Sequence, residues 1–395
     1  MPPSRHAPLP GFLARRVQAF YNESVRDRWD GTILTWGRER GPDDIFCGDN
    51  DYLRLAGHPE IVKAQDRSHE ANGQGPMMSA VFQHGDSPFH RFERLMAHHM
   101  GSEKSVLTQS GMAANMGLIQ VITDAETPVY IDHLAHGSFW YGCQAAGIKP
   151  KPFRHNDMES LEKRIARHGP GVILVDSVYS ASGSVAHLHA LASIAGLSGC
   201  VLVVDESHSL GTHGPRGAGL VVELGLTDQV HFRTASLSKA FVNRAGIIAM
   251  GRQFWTYYMS RAWSAIFSST VPPADASALL KTLELVRAAD TSRATLHSRA
   301  NQLRAALRDD HWDLGACQSQ IVPLHAGDEP TLRRLRDAME TRGVFGAPFF
   351  PPATPPGQAL LRLSIHCDLG EDDIERIVRA AAASRQALRD NGVRV

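Results

Sequence analysis

Lys239 lies in the run Thr234-Ala-Ser-Leu-Ser-Lys-Ala-Phe241, directly after a candidate buried strand, and it is one of only seven lysines beside thirty-four arginines. Small and apolar neighbours depress an amine pKa, and a neutral amine can form a Schiff base with a carbonyl compound. Earlier in the chain, Val-Val-Asp205-Glu-Ser-His208 closes another apolar run with an acid and an imidazole three residues apart. An acid at such a place can keep a pyridine-type nitrogen protonated. The segment Thr108-Gln-Ser-Gly-Met-Ala-Ala-Asn115 reads as a strand end, a small-residue turn and a helix start. Free backbone N–H groups at Ser110, Gly111 and Met112, with the helix dipole behind them, would cup a phosphate. Tyr130-Ile-Asp-His-Leu-Ala-His136 adds a strand-end imidazole that could stack on a flat ring, with His133 as its competitor. Each feature also has an ordinary reading: a strand-end surface lysine, an N-cap aspartate, a core or capping histidine, a common Ser-Gly turn.

These residues need a scaffold that brings strand ends together. From Asp49 onward helical patterns alternate with short apolar runs, the signature of an α/β layer architecture. Candidate strands are 105–107, 129–131, 172–176, 200–205, 230–234 and 246–250, and helix-like stretches are 87–99, 113–122, 138–146, 158–167 and 187–196. The Val-Ile-Leu-Val and Val-Leu-Val-Val runs lack alternation, so both faces should be buried, as in a central and mostly parallel sheet. Open α/β sheets bind ligands outside the carboxyl ends of their strands, where Asp205, His208 and Lys239 would lie. Beyond Pro272-Pro273 a long helix over about 275–309 leads to strands near 320–324 and 360–365 and helices at 330–342 and 371–390. The expected division is an N-terminal arm (1–48, with a short helix near 12–21), a large domain (49–274) and a smaller C-terminal α+β domain (275–395). The stretch 349–356, with four prolines, reads as a stiff loop.

Forty-one Lys and Arg balance forty-one Asp and Glu. That balance argues against nucleic acid or an anionic membrane as the main partner through bulk charge. Five scattered cysteines without a Cys-x-x-Cys pair disfavour a disulfide framework and a structural zinc site, which suggests a reducing cytoplasm. No apolar run has signal-peptide or membrane-span length. No metal site is expected, since His98-His99 and His187-x-His189 lack an obvious third ligand.

Taken together in order and spacing, Asn50-Asp-Tyr-Leu, Ser-Gly-Met-Ala-Ala-Asn115, His136, Ser180, Asp205-Glu-Ser-His208, Ser236-Leu-Ser-Lys239 and Phe267-Ser-Ser-Thr270-Val-Pro-Pro resemble the α-oxoamine synthases. These are pyridoxal 5'-phosphate (PLP) enzymes of the aspartate-aminotransferase fold, fold type I, that condense an amino acid with an acyl-CoA. Within that family the chain looks most like the CqsA-type quorum-sensing autoinducer synthases, through Ser79-Ala-Val-Phe82, Arg167-His-Gly-Pro-Gly171, Val175-Asp-Ser-Val-Tyr-Ser180, Gly217-Ala-Gly-Leu220 and Ala265-Ile-Phe-Ser-Ser-Thr270. Biosynthetic members carry a Gly/Ser-rich loop where this chain reads Gly75-Pro-Met-Met-Ser-Ala-Val-Phe-Gln-His84. Met77, Met78, Val81 and Phe82 suit an acyl tail, or ordinary packing.

The resemblance implies that Lys239 anchors PLP and then takes the α-proton, that Asp205 pairs with the ring nitrogen, that His208 and Ser180 sit at the phenolic oxygen, and that His136 stacks on the ring. It implies phosphate binding by Ser110, Gly111, Met112 and Ser236, with Ser269 or Thr270 reaching across from a second subunit of a homodimer. Arg362 would grip the substrate carboxylate and Asn50 would approach the substrate end. Met112 departs from the aromatic residue usual there, which bears on pocket shape and not on backbone phosphate binding. The implied reaction joins a small L-amino acid, 2-aminobutyrate-like or S-adenosylmethionine, to a medium-chain acyl-CoA, giving an α-aminoketone that precedes an α-hydroxyketone signal. Two rivals stand beside it: a biosynthetic synthase of the 8-amino-7-oxononanoate, 2-amino-3-ketobutyrate or 5-aminolevulinate type, and a non-catalytic binding subunit of the same fold.

Overall fold

Residues 7–393 are described here from a computed structural model; the first six residues of the expected arm lie outside the described residues. A short strand, β1 (Ile45–Phe46), leads in. A seven-stranded sheet then collects β2 (Lys104–Thr108), β3 (Val129–Asp132), β4 (Lys151–Phe153), β5 (Val172–Asp176), β6 (Val201–Asp205), β7 (Phe232–Ser236) and β8 (Gly246–Met250) in the order β2-β8-β7-β6-β5-β3-β4. Only β8 runs against its neighbours, pairing antiparallel with both β2 and β7. The carboxyl ends of the other six strands therefore share one edge, which carries Thr108, Asp132, Phe153, Asp176, Asp205 and Ser236.

The unbroken apolar runs behave as expected of a sheet covered on both sides. Val172, Leu174 and Val203 pack into one buried cluster, whereas Ile173, Val175, Leu202 and Val204 pack into another on the opposite face. Each such side chain contributes roughly 1.5–3 kcal/mol by leaving water, so a polar residue on either face of β5 or β6 would be costly.

A second sheet follows in the chain. β9 (Ile321–Gly327), β11 (Ala347–Phe349) and β12 (Ala359–Ser364) form an antiparallel unit in the order β11-β12-β9, while β10 (Val344–Phe345) pairs in parallel with β1. The expected single helix over 275–309 is two helices, Pro273–Ala288 and Asp290–Asp309, broken at Ala289 (ψ 32°). No large apolar residue stands between Val286 and Leu296, and Asp290-Thr-Ser292 are helix-start residue types, so the sequence carried a signal of the break that a single-helix reading passed over. The helices Pro59–Asn72 and Arg252–Arg261 and the edge strand β4 were also not expected. The arm helix spans Gly11–Phe20. Among the described residues no helix is long and apolar enough to cross a membrane.

The two sheets are stitched together beside the strand ends. Gln318 and Ser319 N–H groups both donate to the Gly183 carbonyl, Ser364 N donates to the Cys47 carbonyl at 2.9 Å, and Cys367 N donates to the Tyr52 carbonyl at 3.0 Å. These bonds lay the segment 46–52 along β12. Gly183 has φ +65°, and a Cβ there would stand 1.9 Å from the Ile321 carbonyl oxygen. A left-handed backbone and a clash with main chain both penalise any side chain. Gly183→Ala is expected to destabilise the protein by about 2–4 kcal/mol, seen as a lowered thermal midpoint in calorimetry; an unchanged midpoint would contradict this packing.

Candidate active site

The shared strand edge and β12 enclose a cavity of about 930 Å³ lined by Asn50, Met112, His136, Ser180, His208, Lys239 and Arg362 among others. Seven of the residues singled out in the sequence thus meet at one surface. Asp205, Ser110, Gly111 and Ser236 are not in its lining, and neither are Ser269 and Thr270.

Asp205 ends β6 in register with Asp176 of β5 and Thr234 of β7. It is 5% exposed. Its carboxylate accepts from Asn115 Nδ2 at 2.7 Å and from the Ser207 backbone at 2.8 Å. Asn115 is the centre of a buried network: its Nδ2 also donates to Ser138 Oγ at 2.8 Å, and its Oδ1 accepts from Thr234 Oγ1 at 2.5 Å. The network thus joins residues on four elements, the helix of Asn115, the helix of Ser138, β6 and β7, and that rigidity holds a charge in one orientation. Burial, with the Asp205 charge beside it, pushes the Asp176 carboxyl well above the usual carboxylate range. Its oxygens accept from the His136 backbone N–H.

His136 caps the helix Gly137–Ala145, its Nδ1 lying 2.8 Å from Ser138 Oγ and accepting from Ser138 N. The ring is exposed along the cavity, yet enough protein surrounds it that desolvation lowers its pKa; the Asp205 charge opposes the shift and the Lys239 charge adds to it. His133 also lines the cavity. His208 is buried, and desolvation followed by the Lys239 and Arg362 charges holds its pKa well below the usual histidine value. Its Nδ1 is 2.7 Å from Tyr52 Oη.

Lys239 stands in the turn that follows β7. Burial first, then the charge of Arg362, lowers its pKa to about 8, with Asp205 opposing. A much larger neutral fraction at neutral pH follows than for an exposed lysine. Arg362, on β12, is 4% exposed. It donates to Asn50 Oδ1 and to the Ser180 carbonyl, both at 3.0 Å, and lies 4.4 Å over the Phe349 ring. Its Nε is buried without a partner.

The helix Gly111–Ile122 opens with Ser110 as N-cap, whose Oγ accepts from Ala113 N at 3.1 Å. A Cβ on Gly111 would come within 2.7 Å of Ser236 Cβ, so the helix start and the end of β7 meet only because residue 111 is glycine. Met112 is 44% exposed and faces the cavity. Met77 and Phe82, expected against an acyl tail, are exposed and absent from this cavity's lining, as are Met78 and Val81. Instead Thr270 N donates to the Met78 carbonyl at 2.9 Å and Ser79 bridges to Ser269.

A family model described as aminotransferase class I and II matches residues 43–380. The chain belongs to the aminotransferase class I and II family. It is 42% identical over 373 residues to the CAI-1 autoinducer synthase of Vibrio campbellii, across 94% of this chain and 95% of that protein. It is 33% identical over 350 residues to a putative 8-amino-7-oxononanoate synthase of Bordetella pertussis, across 86% and 87%. A serine palmitoyltransferase solved with its PLP internal aldimine superposes with a TM-score of 0.85 at 25% identity, covering 96% of this chain and 98% of that one. The fold is PLP-dependent transferase fold type I, aspartate aminotransferase-like, as the resemblance implied.

Within this aminotransferase-class fold, Asn115, Ser138, Thr234, Ser207 and Tyr52 were given no role by sequence reasoning. Their partners lie far away along the chain, and the only local signal was a polar Asn115 inside an apolar helix. The depressed Lys239 pKa sets an expectation for the cofactor-free protein. An aldehyde followed by borohydride labels Lys239 ahead of the other lysines, with a rate that rises through a midpoint near pH 8, against 10.5 for an ordinary lysine. Peptide mass spectrometry reads the sites, and uniform labelling of all lysines would refute the assignment.

Proposed function

We propose that the chain is a PLP-dependent acyltransferase that condenses a small L-amino acid, 2-aminobutyrate-like or S-adenosylmethionine, with a medium-chain acyl-CoA. Carbon dioxide and CoA leave, and the α-aminoketone formed is the precursor of an α-hydroxyketone quorum-sensing signal. One observation carries the reading: an amine depressed to about pH 8 shares a cavity with the imidazoles of His136 and His208 and the guanidinium of Arg362, beside a buried acid fixed in orientation by Asn115. The 42% identity to the CAI-1 autoinducer synthase supports the substrate class.

The residues fit PLP. Gly111 and Ser236 abut so closely that only bare backbone fits between them, and with Ala113 N taken by Ser110 Oγ the Gly111 and Met112 amides at the helix start would cup a phosphate. Arg362 and Asn50, bonded to each other at 3.0 Å, both line the cavity, and a guanidinium there suits a carboxylate. When bound, PLP supplies the electron sink that lets an α-carbon shed its proton and attack a thioester. Lys239 would anchor the cofactor and, as a neutral amine, would take and return the α-proton of the substrate. Asp205 would keep a pyridine-type nitrogen protonated. His136 would lie against the flat ring, and His208 with Ser180 would serve its phenolic oxygen. Arg362 and Asn50 hold the substrate carboxylate until it leaves.

A homodimer with shared sites belongs to the same proposal. Ser269 and Thr270 are tied to the segment Met78–Ser79, and Met77, Phe82, Trp263 and Phe267 are exposed near them. In the dimer these segments enter the partner's cavity, the first pair at the phosphate and the apolar residues at the acyl tail. The border between the large domain (49–274) and the small domain (275–395) is supported by the segregation of β2–β8 from β9–β12, while the end of the arm (1–48) joins the small domain through β1 and β10. Cytoplasmic residence is supported by five unpaired cysteines.

Purified protein offered a panel of amino acids and acyl-CoAs of graded length is expected to release CoA fastest with medium chains, with mass spectrometry showing an α-aminoketone. Preference for acetyl-, succinyl- or pimeloyl-CoA would instead favour the biosynthetic reading, to which the 33% identical relative points. Lys239→Ala is expected to abolish both product and the visible absorbance of bound cofactor; a wild type that never binds PLP would favour the non-catalytic reading. Arg362→Lys, which loses the bidentate fork, is expected to raise KM for the amino acid about tenfold, with acyl-CoA KM as the control.

A further inference from the structure

Tyr52 has no place in the roles above, yet it joins two of them. It is 1% exposed, and its Oη lies 2.7 Å from His208 Nδ1 and 3.2 Å from Asn50 Oδ1. The phenol has one proton for two acceptors. Asn50 Oδ1 is already engaged by Arg362 Nη2 at 3.0 Å, and the shorter contact is the one to the imidazole. Burial pushes the Tyr52 pKa up, so the hydroxyl stays a donor. His208 is kept neutral by burial and by the charges of Lys239 and Arg362. A neutral imidazole carries one N–H, and the bond made by one nitrogen decides the state of the other. The main chain of His208 is pinned as well: its carbonyl accepts from Gln320 Nε2 at 2.7 Å and from Thr212 Oγ1 at 2.9 Å.

We propose that Tyr52 is a positioning residue that, by donating to Nδ1, fixes His208 in the tautomer with its proton on Nε2. Nε2 is the nitrogen left to face the cavity, so His208 becomes a hydrogen-bond donor there and not an acceptor. For its consequence this rests on the PLP reading above: a donor at the ring oxygen stabilises negative charge on that oxygen, whereas the other tautomer would set lone pair against lone pair. The bond itself belongs to the chain alone. Asn50 Oδ1, the atom that accepts from Arg362 Nη2, lies 3.2 Å from the same hydroxyl and competes with Nδ1 for its one proton; engaged by Arg362, it leaves that proton to His208.

Long-range proton–nitrogen NMR of the PLP-loaded enzyme tests this, with the His208 signals assigned by their loss in His208→Gln. The wild type is expected to show an unprotonated Nδ1 and a protonated Nε2. Tyr52→Phe is expected to move the proton wholly or partly to Nδ1 and to lower kcat about tenfold, the size of one lost neutral hydrogen bond, with KM for the amino acid changed less than about twofold. A wild-type proton on Nδ1, or the same Nε2–H tautomer in Tyr52→Phe as in the wild type, overturns the proposal. Should Tyr52→Phe fail to fold, Asn50→Ala keeps the tyrosine and removes its competing acceptor; the proton is expected to stay on Nε2, and its transfer to Nδ1 overturns the proposal equally. A wild type that binds no PLP sinks the cofactor reading alone, because the tautomer is read on the chain's own nitrogen atoms.

Discussion

A buried carboxylate at the end of β6 organises the site. Taking Asp205 out of water carries a cost that only specific partners offset. Those partners are the Asn115 amide and the Ser207 backbone. Asn115 in turn is held by Thr234 from β7 and by Ser138 from the helix that His136 caps. A single buried charge therefore ties together the strand, the helix and the turn whose side chains line the cavity. The parallel arrangement of the sheet makes this affordable, since six strands end at one edge and their connecting loops can all reach the same charge.

Positive charge is distributed around that anchor with equal consequence. Arg362 arrives from the small sheet, and its charge is a cause of the lowered pKa at both Lys239 and His208. The amine and the imidazole thus owe part of their neutrality to a residue more than a hundred positions away in the chain. The stitching of 46–52 onto β12, and of Gly183 against Gln318 and Ser319, keeps Arg362 at that distance. A bulk charge of zero said nothing about this, because the fields that matter act over a few ångströms in low dielectric.

Much of the architecture was legible because the determinants were local. Uninterrupted Val/Ile/Leu runs announced buried strands, and the Ser110-Gly111 turn announced a helix start, where Ser110 is the N-cap. The break at Ala289 was missed although Asp290-Thr-Ser292 follows it, because good helix formers on both sides mask a local stop. The short strands β1, β4, β10 and β11 were missed for a related reason: two- or three-residue strands exist by virtue of their partners, not their own propensity.

By itself, the sequence determined the chemistry available: one lysine in a small-residue run after a strand, an acid and a histidine after another, a glycine at a helix start, and the order in which they come. These properties follow from residue identity and from spacing within a few positions. Only the tertiary structure decided which of them meet and in what state. Tyr52 and His208 are 156 positions apart, and Asn50 and Arg362 are 312 apart, so their bonds are set by how β12 lies on the segment 46–52. The absence of Met77 and Phe82 from their own chain's cavity was decided the same way. Burial, and with it pKa and hydrogen-bond partner, is a property of the packed chain, because it depends on which distant groups replace water around each side chain.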